Sequence, residues 1–196
     1  MKLSEIATVR TGLVLSRKKA ALHDKTKFIY RQVTLKSFTD SVTLQDEYFD
    51  DFISAEPIDD KYISKIGDIV VRLRKPNVAV YIDEKSAGLV IPSLMCIVRV
   101  KDSSANSAYL AHYLNSTPAK KVLEREIKGT TIPMIKTKDL ENIDVVLPSL
   151  EVQNTTVELM RLSAKEIELI EKLKQEKKQL SQTILDTIIQ QNKEEN

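Results

Sequence analysis

A chain of 196 residues, 42% apolar and 30% charged, has room for one ordinary domain plus an appendage or for two small domains, and its composition is that of a folded protein. The net charge is only +2, the single cysteine excludes an internal disulfide framework, and the apolar runs are too short and interrupted to span a bilayer. The opening MKLSEIATVRTG lacks the apolar stretch of a secretory signal, so a cytoplasmic protein with a buried Cys96 thiol and no membrane contact is expected.

Charge is segregated along the chain. Residues 13–40 carry Arg17, Lys18, Lys19, Lys25, Lys27, Arg31 and Lys36 against Asp24 and Asp40 alone, and residues 41–60 then carry seven acids and no base. Such a field can orient a polyanion; equally, the two blocks can be oppositely charged loops that face each other.

The runs FIYRQVTL, DIVVRLR, VAVYID and LMCIVRV alternate as strands and are bounded by Gly, Pro, Asp or Ser. Tyr30, Tyr81 and Phe28 within them are read as packing residues rather than base-stacking ones. From residue 106 the period becomes helical: NSAYLAHYLNS puts Leu110, Tyr113 and Leu114 on one face. Thr117 and Pro118 read as an N-cap and first helical residue, and the helix PAKKVLEREIK stops at Gly129. The fold class is therefore α+β, a small curved sheet with helices against one side.

All four glycines and six prolines lie at or before Pro148, which marks the clearest boundary in the chain. Residues 1–148 are read as a globular head and 149–196 as one long helix. Ser149 is the N-cap candidate, and Glu151 complements the helix dipole; Val152 stands where a capping box needs Glu or Gln. Leu159, Leu162, Leu169 or Ile170, Leu173, Leu180, Ile184 and Ile188 mark a heptad-like stripe, broken by Glu166 and Glu176. Burying each such side chain is worth about 1.5–3 kcal/mol, so a partner helix packed as in a coiled coil is the expected cover.

Catalytic chemistry is nearly silent. His23 and His112 have no second ligand at metal spacing, no glycine-rich phosphate loop or Gly-x-Ser-x-Gly elbow exists, and the Asn-Pro-Pro-aromatic signature of amino-methyltransferases is missing. Asp59, Asp83 and Lys85 loosely echo a metal-dependent nuclease, in a chain where charged residues make such matches common. No catalytic residue, metal or cofactor is expected.

The order LSEIATVRTG, ISKIGDIVVRLRKPNVAVYID, AYLAHYLNS and IKGTTIPMIKTKDLENIDVVLPSLEVQ before a long helix resembles the specificity (S) subunit of type I restriction-modification systems. It is similar to half of the usual subunit, one target recognition domain plus one conserved helix. The family's usual Glu-Gln pair is split here as Glu151-Val152-Gln153. The resemblance implies a non-catalytic subunit that binds double-stranded DNA and docks methyltransferase (M) subunits, with restriction (R) subunits as further partners. It also implies that a one-domain chain dimerises through its helix and reads a bipartite inverted repeat.

Base-edge contacts supply sequence and phosphate contacts supply affinity. The first candidate is RLRKPN, with Arg72, Arg74, Lys75 and Asn77; Arg74 suits guanine and Asn77 adenine. The second is Arg17, Lys18 and Lys19. The third is KGTTIPMIKTK, with Lys128, Thr130, Thr131, Lys136 and Lys138 placed to clamp the backbone. Each of these runs also reads as a plain solvated loop. The alternative functions are a coiled-coil adaptor with a protein-binding head, and a specificity component of another restriction or defence system.

Overall fold

The structure is a computed structural model that describes residues 1–21, 23, 26–38, 43–74, 78–127 and 134–194. It divides into two compact units, Met1–Val157 and Glu158–Asn196.

The first unit is built on a four-stranded antiparallel sheet. Its strands are β1 (Ala7–Thr11), β4 (Asp68–Arg72), β5 (Ala79–Tyr81) and β6 (Met95–Val100), in the order β1-β6-β4-β5. β2 (Phe28–Gln32) and β3 (Asp50–Ser54) form a separate antiparallel ribbon. The central strands β4 and β6 are buried on both faces, which is why DIVV and MCIV read as continuous apolar runs. Ile69, Val71, Cys96 and Val98 point to one face. There they meet α1 (Leu3–Ile6), α2 (Ser107–Asn115), α3 (Thr117–Ile127) and α4 (Thr137–Glu141) through Leu3, Leu110, Leu114, Leu123 and Leu140. Helices on one side of a sheet is the expected α+β arrangement. Val70, Met95 and Ile97 point to the other face, where Val33, Phe38, Leu89 and Ile91 cover them. A third cluster ties the ribbon to the sheet end through Phe52, Leu13, Ile58 and Val90.

Local chemistry explains the boundaries. Asn106 caps α2, its Oδ1 accepting from the amides of Ala108 (2.8 Å) and Tyr109 (3.1 Å). The cap of α3 falls one residue earlier than Thr117: the Ser116 carbonyl accepts the first helical bond from Lys120 at 2.9 Å, and its Oγ faces the Ala119 amide. Gly129, the predicted stop of α3, lies outside the described residues. Tyr30 packs in the third cluster and its hydroxyl accepts from the Ile58 amide at 3.0 Å, while Tyr81 packs on the helical face. Buried Asp68 accepts from Arg99 Nε and Nη2, both at 2.7 Å, and from the Lys65 amide at 2.8 Å, so both carboxylate oxygens are hydrogen-bonded.

Gly12, just past β1, allows a close approach. Its amide donates to the Met95 carbonyl at 2.9 Å, and a Cβ there would sit 2.3 Å from the carbonyl oxygens of Ile91 and Pro92. Gly12→Ala is expected to cost about 1–3 kcal/mol, because backbone rather than a flexible side chain must give way. A urea midpoint equal to wild type would show that the 91–92 segment yields freely.

α5 runs from Leu150 to Glu194, about 68 Å at ~1.5 Å per residue. It opens as expected, with the Gln153 amide bonded to the Ser149 carbonyl at 3.0 Å and the Val152 amide facing Ser149 Oγ at 3.4 Å. The division between units falls within α5 because buried Gln153 holds the helix start in the first unit. In the second unit every side chain from Glu158 to Gln191 is exposed, and pairs such as Arg161–Glu158, Lys165–Glu168 and Lys174–Glu171 line the helix surface.

Candidate nucleic-acid interface

One end of the four-stranded sheet gathers basic segments that are far apart in sequence. Beyond β1, Leu13 donates to the Ile91 carbonyl at 2.8 Å and accepts from the Ser93 amide at 2.8 Å. Beyond β4, Leu73 donates to the Leu94 carbonyl at 3.1 Å and accepts from the Ile135 amide at 2.9 Å. Arg74 and Met134 then face each other across an antiparallel bridge. The first and third candidate segments, sixty residues apart, therefore meet here, and the turn at 91–94 joins them to the segment leading to Arg17.

Arg74, Lys136, Lys138 and Arg17 all expose their side chains. Lys136 precedes α4, its amide donating to Asp139 Oδ2 at 2.9 Å, and Arg17 closes a short 3-10 turn. Arg72 is half-buried one residue before Leu73, opposite Met95 in the sheet register. Lys75, Asn77, Lys128, Thr130 and Thr131 lie outside the described residues.

The remaining basic run is attached to the acidic block. Lys19 bridges Ser54, the Ala55 amide donates to the Lys18 carbonyl at 2.8 Å, and Lys18 Nζ pairs with Glu56. Arg31, opposite Asp51 in the ribbon, donates to the Asp46 carbonyl at 3.3 Å and stacks over Phe49. Part of the segregated charge thus faces its opposite, although an exposed pair such as Lys18–Glu56 contributes little.

Asp59 and Asp83 serve their own turns. Asp59 accepts from Lys61 Nζ at 2.6 Å and from the Lys61 amide at 2.9 Å, and those bonds, with Arg10 adding to the field, hold its carboxyl below the usual range. Asp83 accepts from the Lys85 and Ser86 amides and from Ser86 Oγ. Among the described residues no group of three His, Cys, Asp or Glu could hold a metal ion. Cys96 is fully buried, and burial pushes its thiol up to about 12.

Two exposed residues near these segments stand outside the candidates taken from the sequence. Met134 passes as filler in IPMIK, yet stands exposed beside Arg74; only the bridge reveals it. Arg10 is exposed on the edge strand β1, within the short and mostly polar run ATVRT. The α5 stripe is uniformly open to solvent in the single chain: Leu159, Leu162, Leu169, Leu173, Leu180, Ile184 and Ile188 are between 49% and 63% exposed.

The chain belongs to the type I restriction modification DNA specificity domain family, whose model matches residues 1–179. It is similar to a chain in a structure titled as the structural basis underlying complex assembly and conformational transition of the type I R-M system, with 15% identity and a TM-score of 0.66. It is likewise similar to the HsdS subunit from Thermoanaerobacter tengcongensis, with 15% identity and a TM-score of 0.65. Both alignments cover 88% of this chain and 43% of the other, so this chain spans less than half of either relative's length. At that identity the likeness shows the fold. No curated protein matches the sequence. Among the described residues no helix is long and apolar enough to cross a membrane.

Proposed function

We propose that this chain is the DNA sequence-recognition subunit of a type I restriction-modification complex. It performs no chemistry itself and directs methyltransferase subunits, and restriction subunits where present, to a target on double-stranded DNA. Two copies pair through the α5 stripe and read a bipartite inverted repeat, one head per half-site. The observation that carries the pairing is the exposed aliphatic stripe, since side chains half open to water over several turns gain free energy when a second helix covers them. A two-fold pair supplies that cover with identical surfaces, and a two-fold reader matches a repeat whose gap reflects the distance between heads.

Mapping methylation on individual DNA molecules, in cells expressing the chain with its methyltransferase partner, tests this directly. A bipartite inverted repeat with a fixed gap is the expected result, and a continuous asymmetric target overturns the paired-reader proposal.

Within the head, Arg74 reads base edges while Lys136 contacts phosphate. Arg74→Ala is expected to relax preference at one position by about 1–3 kcal/mol. Lys136→Ala is expected to weaken all duplexes equally and to lower the salt dependence by about one counterion. Binding that ignores salt in the assembled complex would instead favour the protein-binding adaptor. Unchanged sequence preference in Arg74→Ala would move the reading face elsewhere.

A further inference from the structure

We propose that Arg74 and Met134 act as one composite base reader that selects a guanine adjacent to a thymine, the thymine being recognised through its 5-methyl group. The inference rests on the proposal that Arg74 reads bases, and adds to it a second residue and a second base.

Three observations carry it. The amide of Ile135 bonds the carbonyl of Leu73, which makes Arg74 and Met134 a non-hydrogen-bonded antiparallel pair. That is the arrangement in which opposed side chains stand closest and project from the same face. Leu73 and Ile135, directly before and after the pair on their two segments, are 3% and 0% exposed, so the core holds the backbone beneath it. Both reading side chains are open to solvent, Met134 at 38%, and Arg74 has no acidic partner among the described residues.

A thioether offers nothing to phosphate, so an exposed methionine does not serve a backbone clamp. The one apolar feature in the major groove is the thymine methyl, and guanine O6 and N7 are the acceptors that fit a guanidinium fork. Opposed side chains in such a pair are roughly 4.5–5.5 Å apart at Cβ, and successive base pairs rise about 3.4 Å. Neighbouring base pairs are therefore within reach of the two side chains together. Methionine suits this task because its unbranched, polarisable chain adapts to a surface set by the DNA.

The test uses the full chain assembled with its methyltransferase partner and duplexes carrying the target found by methylation mapping. Each thymine of a half-site is replaced singly by uracil, which pairs identically but lacks the methyl group. One replacement, beside a guanine, is expected to weaken binding roughly fourfold, the effect of leaving one methyl group unburied. Met134→Ala should bind the thymine and uracil duplexes equally, Met134→Leu should restore the difference, and both should keep the guanine preference. A half-site with no thymine next to a guanine on either strand overturns the inference. So does indifference to every uracil replacement, or a thymine–uracil difference that survives in Met134→Ala. If guanine preference persists in Arg74→Ala, the underlying assignment of Arg74 as a base reader is what fails; if only the uracil response is absent, that assignment stands and the composite reader falls.

Discussion

Leu173→Asp combined with Leu180→Asp is expected to leave the protein monomeric, where the unsubstituted chain is expected to sediment as a dimer. The two leucines lie in the middle of α5, 52% and 60% exposed in the single chain. About half of each side chain is thus available for burial by a partner, so each contributes roughly half of the ~1.5–3 kcal/mol of full burial. Four such side chains per dimer amount to roughly 3–6 kcal/mol, or two to four decades of dissociation constant. Introduced carboxylates add the cost of desolvating charge in the seam. Both positions are far from the helix ends, and aspartate is only a modestly poorer helix former than leucine, so far-UV circular dichroism should change little. A sedimentation profile that stays dimeric would place the contact between copies outside the α5 stripe.

Gln153→Ala is expected to destabilise the head by roughly 3–5 kcal/mol, read as a fall in the urea midpoint. The side chain is fully buried at the start of α5. Its Nε2 donates to the Ser104 and Pro148 carbonyls, both at 2.9 Å, and its Oε1 accepts from the Asn106 amide at 2.8 Å. Truncation strips partners from three backbone groups, each of which costs about 1–3 kcal/mol when left desolvated, less whatever water recovers in the vacated space. The loss spreads, because Asn106 also caps α2 and its Nδ2 donates to Asn154 Oδ1 at 2.8 Å. Gln153→Glu keeps the volume but aims carboxylate oxygen at two carbonyls, so it should be at least as damaging. A loss below about 1 kcal/mol in both variants would show that these contacts contribute little net stability.

Gln153 also shows where motif reading stops. By sequence it is half of a split Glu-Gln pair; in the structure it anchors the helix start to the head, with Val152 exposed beside it. Nothing local distinguishes it from the exposed glutamines further along α5, because its partners lie at residues 104, 106 and 148. Strand legibility divided the same way. β4 and β6 were readable because burial on both faces demands unbroken apolar runs. β3 escaped notice inside the acidic block, where Phe52 is its one buried large apolar residue, and β1 because ATVRT is short and mostly polar.

What the amino-acid sequence determined by itself is whatever a few consecutive residues can decide. It set the long helix and its Ser149 cap, the aliphatic stripe at spacings of three, four and seven, the core strands and the family pattern. These follow from interactions between neighbours along the chain, which leave a period or a cap in the sequence. Only the tertiary structure decided that Arg74 stands against Met134, that Lys18 pairs with Glu56, and that Gln153 is buried. Each of these depends on backbone hydrogen bonds made by distant segments, ladder bonds for the first two and bonds from the Gln153 side chain for the third. Backbone amides and carbonyls make such bonds, and they are the same in every residue but proline, so the register they choose leaves no local mark in the side chains.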